Sequence, residues 1–390
     1  MSGADGGGGG AEQTAWTAPE LALYIHYPYC VRKCPYCDFN SHALQREGQE
    51  RREADYLAAV HREFAAFRPW LEGRRFVSVF FGGGTPSLAP DAFVGRVLEL
   101  VAPHVSCDAE ITAEANPGAA DSGRFSSWRA CGVNRLSLGV QSFDDLMLAR
   151  LGRIHDRRAA LEAVEHARRA GFANLSLDLM YGLPGQSARQ ALSDLSEAAA
   201  CAPEHLSWYE LTLEPGTPFA LHPPPLPEEE VLEDMEQAGR ELLRSRGFRH
   251  YEVSNYCRPG RHCVHSVNYW RYGDYLGLGA GAHSKLSAAG TVHRRAAPAD
   301  PAAYVADWPS AALERVPAER LPGEYMLNRL RLFGPIELGD FTRRTALSTE
   351  LIEGRLRRAA ALGLVRLGRR RYCLTRAGRR HLNAVVRLFV

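Results

Sequence analysis

The chain has 390 residues, 45% of them hydrophobic, with a formal net charge of +2. That length and apolar content suffice for one large domain plus a smaller one, and the near-neutral balance gives no global case for nucleic-acid binding. No run of 18 or more apolar residues occurs, which excludes a spanning helix; with no basic-then-apolar leader and nine cysteines in no framework spacing, a reducing cytoplasm is expected.

Residues 1–18 are glycine-rich and are expected to be disordered, having few apolar side chains to offset ordering entropy. Six short apolar or β-branched runs follow, at 21–27, 76–82, 109–115, 134–142, 174–182 and 205–213. Segments with helical apolar spacing alternate with them, among them "ADYLAAVHREFAAF", "DAFVGRVLELVA", "RAALEAVEHARRA" and "ARQALSDLSEAAA". Repeated β–α units with right-handed crossovers build a parallel sheet with helices outside it. Six of them suggest an incomplete α/β barrel; an open doubly wound sheet also satisfies the pattern. "AAGTVHRRAAPADPAA" (288–303) reads as part of a loop-rich connection over 286–319, and 320–390 as short helices followed by the strand–turn–strand hairpin "GLVRLGRRRYCLT".

Polar residues gather where the strands end. The first strand runs into a cysteine loop, the second ends in "GGGTPS", the third in "EANP", the fourth in "GVQS", and the fifth carries Asp178 ahead of "YGLPG". The C-terminal ends of parallel strands build the site in such folds, so these loops are expected to converge on one cavity.

The loop "YIHYPYCVRKCPYCDFNSH" (24–42) places Cys30, Cys34 and Cys37 within eight positions, with Pro35 fixing the turn between the last two. Thiolates select zinc, copper(I) or an iron–sulfur cluster. Two readings stand: a tetrahedral zinc closed by His26 or His42, and a cubane cluster on three cysteines that leaves one iron open.

The cysteine triplet after "YIHYP", then "GGGTPS", "EANP", "GVQS", "LGRIH" and "DLMYGLPGQ", resembles the radical S-adenosylmethionine (SAM) superfamily, and its oxygen-independent coproporphyrinogen III oxidase branch in particular, over about residues 21–390. The resemblance implies an incomplete (β/α)6 barrel over 19–285 and a small winged-helix-like α+β domain over 320–390. It implies a 4Fe-4S cluster on Cys30, Cys34 and Cys37 whose open iron chelates SAM, with an electron from the cluster cleaving SAM to a 5′-deoxyadenosyl radical. It also implies a SAM site. Gly83 and Gly84 would allow close backbone approach, or mark only a turn, with Thr85 adding a hydroxyl. Glu114 would accept the ribose hydroxyls; Gln141, Arg153 and Asp178 complete the polar set, with Tyr24 and Tyr36 as contacts. Arg153 is suited to the SAM carboxylate through its planar fork, or is a solvated charge at a helix start.

Two departures separate the chain from the oxidase: Phe39 stands where that enzyme has an extra cysteine, and the first strand begins within about twenty residues. Both resemble the haem chaperone subgroup of the branch, HemW. Residues 265–270, His-Ser-Val-Asn-Tyr-Trp, resemble its haem-associated HNxxYW element, with Ser266 in place of Asn. The resemblance makes His265 a haem ligand and Asn268, Tyr269 and Trp270 its companions; a hydrogen-bonded loop histidine is the alternative, and Cys263, His262 and His283 are competing ligands. Three functions compete: a haem chaperone binding cluster, SAM and haem; an oxidase decarboxylating coproporphyrinogen III; and a cluster-bearing regulator without catalysis. The missing cysteine and the 265–270 element favour the first. Haem-accepting proteins are the expected partners and a dimer is left open. From Arg355 to Val390 there are eleven arginines and no acidic residue, expected to dock an acidic partner or anionic lipid beside a membrane haem protein rather than a specific nucleic acid, or to form a solvated basic face.

Overall fold

The computed structural model describes residues 16–45, 47–71, 73–118, 122–306 and 312–390. The glycine-rich stretch expected at 1–18 lies outside the described residues as far as position 15. All six expected strands form: β1 Leu21–Tyr27, β2 Phe76–Gly83, β3 Val105–Ala115, β4 Arg135–Gln141, β5 Leu175–Tyr181 and β6 His205–Glu210. They pair in parallel and in sequence order. Helices Gln49–Phe67, Asp91–Val101, Ser122–Ala130, Arg157–Arg169 and Ala188–Ala200 lie in the crossovers, and Glu229–Ser245 follows β6. Side-chain caps start several of them: Asp156 accepts from the Ala159 amide, and Ser187 forms a reciprocal capping box with Gln190.

The strands alternate in a way that separates wall from lumen. In β4, Leu136, Leu138 and Val140 are fully buried in the helix-facing core, while Arg135, Ser137, Gly139 and Gln141 line the cavity on the other face. Helix Glu229–Ser245 closes on the wall through Gly239, where an added Cβ would stand 2.1 Å from Trp208 of β6.

The sheet continues beyond the six strands on both sides without closing. On one side β7 Asn255–Cys257 runs antiparallel to β6, with the two-residue strand Arg249–His250 at the edge. On the other, β8 Asp274–Leu278 runs parallel to β1 and leads into antiparallel β9 His283–Ala288 and β10 Thr291–Ala296, ending at Glu314–Arg315. The result is a twelve-stranded sheet curled into a partial barrel.

These outer strands correct the expected connection at 286–319. Part of β9, all of β10 and the edge pair Glu314–Arg315 extend the main sheet, and helix Pro301–Ala306 places Tyr304 against Tyr56 with ring centroids 5.2 Å apart. The strand signal is hidden by charge: Arg295 of β10 is buried, with its guanidinium 2.6 Å from the buried Glu63 carboxylate.

Residues 321–389 build the second domain from helices Leu321–Arg329, Leu338–Thr345 and Glu350–Ala361 and a sheet of Ile336–Glu337, Arg371–Leu374 and Val365–Leu367 in that spatial order. Its core of Tyr325, Phe341, Ile352, Leu356 and Tyr372 also takes in Tyr272 and Val292 of the main domain, so the two pack together. The arginine-rich end is partly neutralised, with Arg357 on Glu353, Arg371 on Glu337 and Arg380 on Glu233. Among the described residues no helix is long and apolar enough to cross a membrane.

Candidate functional site

The cysteine loop sits over the C-terminal ends of the strands. Tyr29–Cys30 pairs with His42–Ala43, and the Cys37 amide donates to the Cys34 carbonyl at 3.1 Å, closing the turn around Pro35. All three thiols are unpaired and line a cavity of about 540 Å³ that runs down into the barrel. Burial pushes the Cys30 and Cys37 thiols up, so a soft cation is needed to hold them as thiolates.

The zinc reading loses its fourth ligand. Both ring nitrogens of His26 are engaged, Nε2 at 2.8 Å from the Asn40 carbonyl and Nδ1 at 2.9 Å from the Tyr24 hydroxyl. His42 has Nε2 at 3.1 Å from Asn40 Oδ1 and faces a separate recess with Tyr29 and Arg52. Among the described residues, neither histidine lines the cavity that holds the thiols.

Below the thiols lie the polar residues expected from the strand ends. The backbone at Gly83 and Gly84 packs against β1 and the cysteine loop: added Cβ atoms would stand 2.6 Å from the His26 ring and 2.5 Å from the Tyr29 carbonyl oxygen. Thr85 Oγ1 accepts from Asn116 Nδ2 at 2.9 Å, and Asn116 Oδ1 accepts from Arg153 Nη2 at 2.6 Å. Arg153 also donates to the Gly139 carbonyl at 2.8 Å and points Nη1 toward Cys34 Sγ at 3.9 Å, so it is a fixed lumen residue rather than a solvated helix-start charge. Gln141 adopts a left-handed backbone, φ 67°, and its Oε1 accepts from the Tyr209 hydroxyl at 2.9 Å; strain of this kind at a strand end is characteristic of binding sites.

Glu114 and Asp178 flank Ser137 on three neighbouring strands of the lumen wall, Glu114 in register with Ser137 and Asp178 bonded to it. Burial, reinforced by the nearby Asp178, pushes the Glu114 carboxyl up to about 8, and its Oε2 accepts from the Gly83 amide at 3.3 Å. Asp178 is raised by burial as well, and accepts from Ser137 at 2.8 Å and Ser176 at 3.3 Å. Tyr36 lines the cavity beside Phe219; Tyr24 does not, stacking instead under Phe80 and bonding to His26.

The floor of the lumen holds residues that no contiguous motif announced. Glu110 of β3 accepts from His265 Nδ1 at 2.8 Å and from the Val264 amide at 3.1 Å, with Arg135 Nη1 3.8 Å away. Burial opposes ionisation of Glu110, but His265 and Arg135 outweigh it and hold the carboxyl at about 2. His265 is likewise opposed by burial and driven up, to about 10, by Cys263 and Glu110. His205 is held between Ser176 Oγ at 2.8 Å and the Tyr251 hydroxyl at 2.9 Å.

Of the 265–270 element only His265 and Ser266 face this cavity. Asn268 donates to the Asp274 carbonyl at 2.8 Å, Tyr269 stacks on Tyr275 at 4.1 Å, and Trp270 lies under the Arg331 guanidinium at 5.1 Å. These three fasten the helix Val264–Trp270 to β8 and to the second domain, which the pattern of the element did not reveal. His262 packs its ring against Tyr251, and His283 is exposed at the start of β9. Cys263 is buried beside His265, and Phe39 lies on the rim, 58% exposed.

The residues missed from the sequence are Glu110, Asn116, Arg135, His205 and Tyr209. Four of them carry a usable signal, since Glu110-Thr112-Glu114, Arg135-Ser137, Ser176-Asp178 and His205-Ser207-Tyr209 repeat polar groups at every second position of strands that are otherwise apolar.

Comparison with known proteins agrees with this architecture. Residues 24–198 match the Radical SAM superfamily. The heme chaperone HemW of Escherichia coli (strain K12) is 40% identical over 375 residues, covering 95% of this chain and 98% of that protein. The heme chaperone HemW of Haemophilus influenzae is 38% identical over 379 residues, with 95% and 98% covered. The mitochondrial radical S-adenosyl methionine domain-containing protein 1 of Bos taurus is 42% identical over 284 residues, 71% of this chain and 63% of that one. In structure, coproporphyrinogen III oxidase (HemN) from Escherichia coli superposes with a TM-score of 0.79 over 95% of this chain and 90% of that one, at 24% sequence identity, which establishes a shared radical SAM fold. The chain belongs to the HemW family of the radical SAM superfamily.

Proposed function

We propose that the chain is a haem chaperone that holds a 4Fe-4S cluster and SAM in its lumen, binds haem and delivers it to haem proteins. The observation that carries this reading is the 40% identity to a heme chaperone HemW over 95% of the chain. The thiol set fits a three-cysteine cluster: Cys30, Cys34 and Cys37 share one cavity, and among the described residues no histidine beside them supplies a fourth ligand. When bound, such a cluster supplies an open iron for SAM and an electron for its cleavage.

The chain's own residues divide the remaining work. Glu114, protonated near neutral pH, can donate as well as accept toward the ribose diol. Arg153, anchored through Nη2, keeps Nη1 beside Cys34 for the SAM carboxylate. Tyr36, Gln141 and Asp178 add the remaining polar groups of the lining. For haem, His265 is the proposed ligand: Glu110 accepts the Nδ1 proton at 2.8 Å, which leaves Nε2 as the iron-binding atom, with Cys263 as the alternative ligand. Asn268, Tyr269 and Trp270 support the helix that carries it. The exposed arginines of the second domain are proposed to dock an acidic haem-accepting partner.

Anaerobic reconstitution followed by haem titration and, separately, assay with coproporphyrinogen III tests the reading. Near-stoichiometric haem with a histidine-type spectrum, altered in His265→Ala, and no vinyl product is the expected result. Robust decarboxylation under reducing, SAM-replete conditions would replace the chaperone with the oxidase.

A further inference from the structure

At the floor of the lumen, three side chains from β3 and the first turn of the helix Val264–Trp270 converge without touching the cysteine loop. His265 Nδ1 lies 2.8 Å from Glu110 Oε1 and 3.1 Å from Cys263 Sγ, and Sγ lies 3.9 Å from the same carboxylate oxygen. The face of a tetrahedral zinc site has edges of about 3.3–3.6 Å when donors sit at the usual distances of about 2.0–2.3 Å, so these three separations bracket it. Thiolate, imidazole and carboxylate are together the donors of a borderline-soft divalent cation, and three protein donors leave a fourth position vacant. We propose that Glu110, Cys263 and His265 form a second metal site, separate from the three-cysteine loop, which takes one zinc-like divalent cation with its fourth position open to the lumen.

The surroundings suit that role. The Val264 amide at 3.1 Å and Arg135 at 3.8 Å hold Glu110 through Oε2, which leaves Oε1 aimed at the imidazole. Ser266 Oγ lies 3.4 Å from Cys263 Sγ and can donate to a thiolate there. Ser78 Oγ, Thr112 Oγ1 and Arg135 Nε are buried without a hydrogen-bond partner, and Ser78 and Thr112 stand in register with Glu110 and Arg135. Unsatisfied polar atoms in such a ring are what a metal-bound water would engage. Glu110 precedes Glu114 by four residues, about 13 Å along the strand, so this set is no extension of the mouth. Capping of the helix accounts for the Val264 and His265 amides on Glu110; it does not account for an imidazole and a thiol gathered at one carboxylate oxygen.

Loading has a defined chemistry. Sγ lies 3.1 Å from both ring nitrogens, over the face of the ring, so the imidazole must turn to admit the cation. Cys263 then binds as thiolate and His265 through neutral Nδ1 with its proton on Nε2, so loading expels protons and weakens as the medium is acidified. An imidazole in that tautomer is withheld from haem, and occupation of this site would oppose haem ligation by His265. The metal site itself stands without the haem reading.

The test uses the full chain with Cys30→Ala, Cys34→Ala and Cys37→Ala, titrated with cobalt(II) and then zinc(II) in the absence of haem. One cobalt per chain, with tetrahedral d–d bands and a thiolate-to-cobalt charge-transfer band, displaced by one zinc, is expected. Cys263→Ser, which keeps the side chain's size and leaves the Glu110 cap in place, should abolish the charge-transfer band and weaken zinc by about 100-fold or more, and Glu110→Gln should weaken it by about 10-fold or more. A zinc-induced shift of the His265 ring protons, read by nuclear magnetic resonance with the site unaltered, gives the same answer without a change at the floor. No stoichiometric cobalt in the cysteine-loop variant, a charge-transfer band that survives Cys263→Ser, or bound zinc that leaves the His265 ring unshifted would each overturn the proposal.

Discussion

The two ends of the lumen are built by different means. At the mouth, the cluster cysteines stand on one loop of consecutive residues, over a rim where Phe39 is 58% exposed. At the floor, Glu110, Arg135 and His205 come from three strands, are buried, and interlock with Cys263, His265 and Tyr251. Loop chemistry can be exchanged without rebuilding the wall, whereas floor chemistry is part of the wall. The mouth should therefore fail functionally and the floor structurally.

The largest expected effect lies at the mouth. Changing any one of Cys30, Cys34 or Cys37 to Ala should abolish cluster assembly, seen as loss of the iron–sulfur absorption after anaerobic reconstitution, while the thermal unfolding transition of the metal-free chain stays in place. A cluster that survives any one of these changes would break the contrast at its first point. At the floor, Arg135→Met removes one of the two cations beside buried Glu110 and should cost about 1.5–3 kcal/mol of stability, because the carboxylate keeps only His265 as its counter-charge. Urea denaturation measures this; a cost below about 1 kcal/mol would mean that the floor network is not structural.

Glu114 sharpens the comparison midway down the lumen. Its carboxyl sits at about 8 in the folded chain against an ordinary 4.5, so between those values the native state holds a proton that the unfolded chain has released. Stability contributed by this group is therefore present below about pH 4.5 and lost as pH rises toward 8. The melting temperature of the ligand-free chain should fall more steeply over that window than in Glu114→Gln, where this contribution is absent. Equal slopes in the two proteins would place Glu114 in a wetter, less buried setting. The smallest effect belongs to the rim: Phe39→Ser should change stability by no more than about 0.5 kcal/mol, as expected for an exposed position with no special backbone role.

What could be read from the sequence divides along the same line. The cysteine triplet, GGGTPS, EANP and GVQS are contiguous because loops at strand ends are continuous stretches of chain, so the mouth and most of the polar wall were legible. Arg135 and His205 open strands and look like boundary charges until the sheet turns them into one lumen. Asn116 was missed although EANP was singled out, because its place between Thr85 and Arg153 depends on three loops meeting. The hairpin of β9 and β10 was missed because a buried arginine in an alternating strand reads as a solvated loop until its partner, Glu63, arrives from a helix more than 200 positions earlier. The element at 265–270 looked like a single binding motif, yet only His265 and Ser266 at the start of the helix reach the lumen, while Asn268 and Tyr269 further along it are taken up by Asp274 and Tyr275 of β8.

The unclosed barrel carries a consequence for solubility. A sheet that does not meet itself offers two unpaired rows of amides and carbonyls to any other extended chain, the usual beginning of ordered aggregation. Here the outermost strand at each edge is only two residues long, Arg249–His250 on one side and Glu314–Arg315 on the other, and each bears charge. A strand added at either edge would gain few hydrogen bonds and would face a cationic or mixed-charge pair. Replacing these short charged ends with longer β-branched runs would favour edge-to-edge association, without altering one residue of the lumen.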